Sequence, residues 1–381
     1  MDTRSVDGSA RFFDSRAAYL LFVTTTNEKA VVADRIGREL GGMEASPPGF
    51  GVLDAGMGDA SVLSGVMRRF HDRSPHVPLR AVAKEISIED VRVGLTKLPD
   101  LIFEHPETVF VVTNLPFAQA AALRSADPET VPVWREVALE GSTTHAYLEQ
   151  IRALFPQLAE DWRVRTSELT GNPVPQHPAV VVLYRRDREF ILRPLIPPRE
   201  GIEDGYDLVI ASQVYRARTP VERKVRAAIA PLARALAPGG KLVVVQAHGD
   251  DPGLEIVRGV WPGEDPFPDG RAHILAEARS QLGGPDDADL VFEQGSDHEA
   301  LFRYDLHAMP SARSEHIGTS TTLAAWSAAA YVAQIDEARL AEATVSGVYL
   351  EATHEVLRRH GAVWFNDEAF VIRRAVASTS A

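Results

Sequence analysis

Residues 52–60 read VLDAGMGDA. An apolar run delivers Asp54, Gly56 and Gly58 make a tight turn, and a helical pattern begins at about Ala60. Glycine serves such a turn twice, by allowing unusual backbone angles and by letting a ligand approach the backbone. The helix start adds amides with no intrahelical partner. In a dinucleotide-binding turn, with the spacing G-x-G-x-x-G, those amides face a pyrophosphate. Here the third glycine position is Ser61, and two acids, Asp54 and Asp59, flank the turn. Paired acids repel a pyrophosphate and suit a ligand that carries positive charge.

Working outward, strand and helix patterns alternate. A helix is expected over about 60–70, a strand over 79–83 ending at Glu85, a helix over 87–99, and a strand over 108–113 ending in Asn114-Leu115-Pro116-Phe117. The rhythm resumes with YDLVIA at 206–211, a helix over 219–237 stopped by Pro238-Gly239-Gly240, and KLVVVQAHG at 241–249, which is apolar enough for burial on both faces. Such alternation implies a parallel sheet with right-handed crossovers. Strands are also expected at 289–293 and 301–306, helices at 321–345 and 347–360, and a closing hairpin over 361–374 that turns at Asn366-Asp367. The segment 125–204 interrupts the rhythm with a helix over 144–160 and a hairpin of 179–184 and 189–195, and it reads as an insertion capping the cleft. At the N-terminus the aromatic stretch 12–23 precedes a helix capped by Thr26 or Asn27 and running to about Leu40, a helical cover or a flap over the cleft. The expected organisation is a helical cover at 1–45, two halves of a Rossmann-like domain at 46–124 and 205–374, helical additions at 250–360, and the inserted cap at 125–204.

VLDAGMGDA resembles the first motif of the class I S-adenosylmethionine-dependent methyltransferases, in which an apolar strand and an acid precede G-x-G. The resemblance implies a doubly wound, mostly parallel α/β sheet of seven strands with an antiparallel C-terminal edge hairpin, and S-adenosylmethionine as cofactor. It places Asp54, Ala55, Gly56, Gly58 and Asp59 around the methionine part of that cofactor. The family's third glycine falls at Ala60, which is expected to tighten or shift the turn. Glu85 would accept both ribose hydroxyls, with Ile86 against the adenine; its alternative is a solvated acid at a strand end. Asn114-Leu115-Pro116-Phe117 resembles the NLPY or NPPY tetrad of adenine-amino methylating enzymes, but it follows the third strand instead of the fourth. Asn114 therefore reads as a contact to the cofactor, a contact to substrate, or a plain turn.

Ser212, Gln213 and Tyr215 follow the fourth strand and His248 the fifth, where side chains face the ligand crevice. Ser212 is grouped with the cofactor contacts. Tyr215, His248 and His298 are candidate bases, needed only if the methyl acceptor must shed a proton early. Because a sulfonium donor is already activated, the main demand is in-line placement. His316, Thr319 and Trp326, in the run SEHIGTSTTLAAWSAAAYVAQI at 314–335, read either as a packed helix with its cap or as a substrate-pocket wall.

Composition narrows the class. The chain has 381 residues, no cysteine, and a formal charge of −13 from 53 acidic and 40 basic residues. Thiol nucleophiles and cysteine metal sites are excluded. The histidines show no H-E-x-x-H spacing, which argues against a catalytic metal. The acidic balance disfavours a nucleic-acid substrate. With no leader pattern and no apolar run long enough for a bilayer, a cytoplasmic location away from membranes is expected. The expected function is methyl transfer to a small molecule. The competing readings are an adenine-amino methyltransferase of nucleic acid, an NAD-dependent dehydrogenase, and a non-catalytic binding or scaffold protein. The aromatic N-terminal segment or the 321–345 helix could bury against a second copy in a homodimer.

Overall fold

A computed structural model describes residues 16–168, 173–307 and 319–376. Two helices, α1 (Arg16–Thr25) and α2 (Glu28–Arg38), lead into β1 (Phe50–Asp54), α3 (Ser61–Arg73), β2 (Leu79–Lys84), α4 (Ile88–Glu104), β3 (Thr108–Thr113) and α5 (Phe117–Ala122). The interrupting segment holds β4 (Val133–Leu139), α6 (Thr144–Asp161), β5 (Val164–Thr166), β6 (Pro173–Pro175), β7 (Ala179–Arg185) and α7 (Glu189–Leu192). The alternation then returns with β8 (Tyr206–Ser212). A continuous helix follows, formed by α8 (Val221–Lys224), a π turn and α9 (Ala230–Arg234), and leads to β9 (Leu236–Ala247). The remainder is α10 (Pro252–Val260), α11 (Arg271–Gln281), β10 (Leu290–Glu293), α12 (Asp297–Ala300), β11 (Leu301–Asp305), α13 (Thr319–Val332), α14 (Glu337–Ser346), α15 (Val348–His360) and β12 (Trp364–Arg374).

The strands lie in the order β10-β12-β9-β8-β1-β2-β3-β7-β4, with β11 also on β12. The pairs β1–β2, β2–β3, β1–β8 and β8–β9 are parallel, whereas β12 runs antiparallel to β9, β10 and β11. The seven strands β3, β2, β1, β8, β9, β12 and β10 form the expected doubly wound, mostly parallel sheet with a reversed C-terminal strand. Chain order reverses between β1 and β8, so a crevice opens outside the carboxyl ends of those two strands.

Helices cover both faces, which is why the central strands read as unbroken apolar runs. On one face Val32, Leu63, Leu95 and Ile151 of α2, α3, α4 and α6 pack on Val52, Ala81 and Val112. On the other, Val225, Leu232 and Ile274 pack on Leu53, Val82 and Val244. A third cluster joins α1, α10, α13 and α15 through Phe22, Val257, Ala329, Val356 and Phe365. Each such valine, leucine, isoleucine or phenylalanine side chain, fully removed from water, contributes about 1.5–3 kcal/mol.

Several expectations are corrected. The sheet has ten strands, because β7 adds antiparallel to β3 and β4 adds parallel to β7. The 125–204 segment is therefore built into the sheet edge, with only the small β5–β6 hairpin apart from it. The second arm of the expected 179–195 hairpin is helical: β7 has β3 and β4 on its two edges, so no edge is left for another strand. The turn expected at Asn366-Asp367 is mid-strand, since β12 is held on one side by β9 and on the other by β10 and β11. The 321–345 helix is two helices, with Asp336 capping α14 by accepting from Arg339 N–H. Asn27 does occupy the cap position of α2, but its side chain accepts from Asp305 N–H instead of the helix.

Glycine sets how closely α2 and α3 approach, and α2 carries residues to the crevice. A Cβ on Gly65 would stand 2.6 Å from that of Ala33. Gly65→Val should therefore lower stability by about 1–3 kcal/mol, as overpacking does. Chemical denaturation of wild type and variant checks this.

Candidate functional site

β1 brings Asp54 to the crevice edge, and the turn beyond it is tied to both neighbours. Ala55 N–H donates to Ile210 of β8, and Met57 N–H donates to Lys84 of β2. Gly58 has φ +52°, and Ala60 has φ +62°. Ala60 thus adopts a left-handed conformation, which costs a residue with a side chain roughly 1–2 kcal/mol. Gly56 is exposed at its tip, with Val214 and the Ser212 carbonyl close by.

The carboxylates of the turn have distinct surroundings. Asp54 is 1% exposed, and its Oδ1 accepts from Gly56 N–H at 3.0 Å. Burial chiefly, with the Glu85 charge in support, pushes its carboxyl up to about 7 against the pull of that hydrogen bond. The Asp59 carboxylate is engaged by groups of α3 and α4. It accepts from Ser61 N–H and Oγ and from Lys97 Nζ at 2.9 Å, towards α3 and α4. Burial works to raise its carboxyl, but the Lys97 and Ser61 bonds overcome it and hold the group low.

Glu85 joins two loops. Its Oε2 accepts from Gly58 N–H at 2.8 Å, and its Oε1 from Ile86 N–H at 2.7 Å and Ser87 N–H at 2.9 Å. Trp162, from the inserted segment, donates Nε1–H to the Glu85 carbonyl. The acid is neither solvated nor a bystander: it stands one hydrogen bond from the glycine turn, with Ile86 half-buried beside it.

Asn114 is a structural tie. It is 2% exposed, its Nδ2 donates to the carbonyls of His177 and Asp161, and its Oδ1 accepts from Ala179 N–H at 2.8 Å. The backbone consumes the amide, so the reading of a cofactor contact is corrected to a turn that fastens β7 to the end of β3.

Past β8, Ser212 is half-buried at the crevice, and Gln213 is left-handed with φ +53°. Tyr215 donates to Gln246 Oε1 at 2.8 Å, and burial first, then the Glu368 and Asp269 charges, push its phenol up. The phenol is thus held neutral with its proton in the hydrogen bond to Gln246. His248 turns Nδ1 towards Glu368 Oε2 at 3.5 Å, an interaction that raises the imidazole. Glu368 also accepts from Gln246 Nε2, Arg271 N–H and Arg271 Nη1. His298 sits exposed on α12 and is not brought to this group. Trp326 stacks on Tyr349 in the core, 4% exposed; His316 and the Thr319 side chain lie outside the described residues.

α1 roofs the turn. The Tyr19 hydroxyl lies 3.3 Å from where a Cβ on Gly58 would stand, and Phe22 stacks on Tyr331 of α13 at 4.8 Å. Below it, Glu28 pairs with Lys29 at 3.0 Å. Asp367 and Glu368 of β12 and Gln246 of β9 were not singled out in sequence. The signal for them was a polar residue inside an otherwise apolar strand run. Among the described residues, no group of three or more histidine and acidic side chains is placed to hold a metal ion, and no helix is long and apolar enough to cross a membrane.

No family model matches the chain, and no curated protein matches it. Solved structures similar to it include the plantazolicin methyltransferase BpumL in complex with S-adenosylhomocysteine, at 8% identity over 95% of this chain and 92% of that one, with a TM-score of 0.33. A geranyl diphosphate methyltransferase in complex with its diphosphate and sinefungin is 11% identical over 91% and 78%, with a TM-score of 0.33. The [4+2]-cyclase SpnF is 12% identical over 92% and 80%, with a TM-score of 0.30.

Two outcomes follow from the geometry. Asn114→Ala should cost about 2–4 kcal/mol of stability by stranding buried backbone groups, while leaving ligand affinity at the crevice unchanged. Denaturation and calorimetry on one preparation separate the two effects. For Asp54, the folded value lies above the ordinary 3.8, so the unfolded chain gives up its proton first and stability falls as pH rises from about 4 to about 7. Asp54→Asn should flatten that part of the melting-temperature profile, as followed by circular dichroism.

Proposed function

We propose that this chain is an S-adenosylmethionine-dependent methyltransferase that acts on a small-molecule acceptor. The observation that carries the reading is the glycine turn at the switch point. The buried acid Asp54 precedes it, Gly56 is exposed at its tip, and the Glu85 carboxylate is one hydrogen bond away. Acids lining the turn suit the positive charges of a sulfonium and an ammonium and repel a pyrophosphate, which favours this reading over an NAD-linked one. When bound, the cofactor supplies a methyl group already activated on sulfur.

The chain's own residues do the remainder. Gly56 leaves the backbone open to the methionine part. Glu85 keeps its backbone donors and offers the remaining lone pairs of its two oxygens to the ribose hydroxyls, and Ile86 gives an apolar flank to the adenine. Ser212 and Gln213, at the end of β8, border the space for the acceptor. His248 is oriented through Nδ1 by Glu368, which leaves Nε2 to take a proton where the acceptor bears one. The acidic net charge supports a small molecule over a nucleic acid.

Calorimetric titration with S-adenosylhomocysteine, with NAD as comparison, tests the reading. Wild type should bind the first and ignore the second. Gly56→Val, whose Cβ would already meet Val214 at 3.2 Å, should weaken binding at least about tenfold by closing the approach to the turn. Glu85→Gln should weaken it by a similar factor, since a charged acceptor to the ribose is lost. A preference for NAD, or binding of neither ligand, overturns the proposal.

A further inference from the structure

We propose that the buried carboxylate of Asp367 is the subsite for an ammonium group on the methyl acceptor, so that the acceptor is an alkyl amine. The inference rests on the methyltransferase reading and extends it to the substrate class. It begins with strand alternation. Along β12, Phe365, Asp367 and Ala369 share one face. Phe365 belongs to the cluster with Phe22 of α1, and Ala369 to the core beneath α2 and α3. Asp367 lies between them, 0% exposed, on the face roofed by α1 and the first turn of α2.

Its two oxygens differ. Oδ2 accepts from Gln213 Nε2 at 3.4 Å, and among the described residues Oδ1 has no hydrogen-bond partner. Neighbouring charge gives Asp367 little help. Glu28 and Asp251 face it, buried and of the same sign, and Lys29 is paired with Glu28. A buried carboxylate without a cation is expensive, and an orphaned buried oxygen needs a reason. Burial, reinforced by Glu28 and Asp251, drives the carboxyl well above its ordinary range, which is what an acid waiting for a cation should show.

The partner of Oδ2 places the subsite. Gln213 is the first residue after β8, at the switch point, and it holds a left-handed backbone that a side-chain-bearing residue adopts at a cost. That conformation coincides with a side chain that reaches from the crevice to Asp367. An ammonium on Oδ1 would thus sit beside the end of β8, where it passes one proton to the Asp367 carboxylate and frees the nitrogen lone pair that takes the methyl group. An ammonium offers three donors and full charge to an oxygen that now has neither. An alcohol offers one donor and no charge.

The test uses the full chain saturated with S-adenosylhomocysteine and titrated with n-butylamine and ethanolamine, against n-butanol and ethylene glycol as uncharged counterparts. Amines should bind at least about tenfold more tightly than the matched alcohols, the worth of one charged hydrogen bond. In Asp367→Asn that preference should vanish while affinity for S-adenosylhomocysteine stays within about twofold, and the melting temperature should hold or rise because an unpaired buried acid has been removed. Gln213→Ala, which leaves the carboxylate in place, should weaken amine binding only partly. Equal binding of amines and alcohols overturns the inference. So does a loss of S-adenosylhomocysteine affinity in Asp367→Asn, which would assign the carboxylate to the ammonium of the cofactor. Should S-adenosylhomocysteine itself fail to bind, the methyltransferase reading falls; the amine preference is then read on the ligand-free protein, where its presence or absence decides the Asp367 subsite alone.

Discussion

One carboxylate spans the ends of two strands. Glu85 takes the Gly58 N–H with one oxygen and the Ile86 and Ser87 N–H groups with the other. The need for it follows from the parallel sheet. Adjacent parallel strands end at the same edge, and the loops that leave them carry amides no ladder satisfies. A single acid at the end of β2 serves the loops of β1 and β2 together. With Met57 N–H on the Lys84 carbonyl, it fixes the turn so firmly that Ala60 is carried into a conformation suited to glycine. The Trp162 indole on the Glu85 carbonyl then anchors the end of α6 to the same point.

What the sequence made legible was what burial dictates. Strands covered on both faces show as apolar runs, so β1, β2, β3, β8 and β9 could be read directly, and with them the switch point and the acids at its edge. What it hid was which edges are free. AVVVLY at 179–184 followed by EFILRPL looks like a hairpin, and only the three-dimensional fact that β3 and β4 take both edges of β7 turns the second arm into a helix. The same holds for Asn366-Asp367, a turn pair by local chemistry that two flanking partners keep extended within β12. Asn114 misled for a related reason. Its type and position at a strand end suit ligand contact, but its partners are backbone groups 47 to 65 residues away, and no local pattern announces them.

Charge at the crevice is arranged by contact and not by composition. Asp59 is neutralised by Lys97 and Ser61, and Glu28 by Lys29. Among the described residues, Asp54 and Asp251 have backbone N–H donors but no cation within salt-bridge distance. Burial raises the first to about 7 and the second to about 6, so at neutral pH the crevice is poised between neutral and anionic forms. A ligand that brings positive charge therefore meets groups able to become its counter-ions.

Two consecutive residues of β12 show how the sheet separates scaffold from site. Glu368 faces α11, and its oxygens take hydrogen bonds from Gln246 and Arg271 with His248 alongside. Those bonds hold its carboxyl below the ordinary value although burial works to raise it. Asp367 faces the opposite side and has one long hydrogen bond from Gln213. Both acids are almost fully buried, and their surroundings set them apart: Glu368 has several donors and the cationic Arg271, whereas Asp367 has a single long hydrogen bond and faces Glu28 and Asp251. A fully satisfied buried network specifies structure and leaves nothing for a ligand, whereas an acid buried with too few donors destabilises the empty protein. Period-two alternation puts these two states 180° apart in one strand, so the satisfied face can hold β8, β9 and β12 in place while the other keeps an acceptor open beside the end of β8.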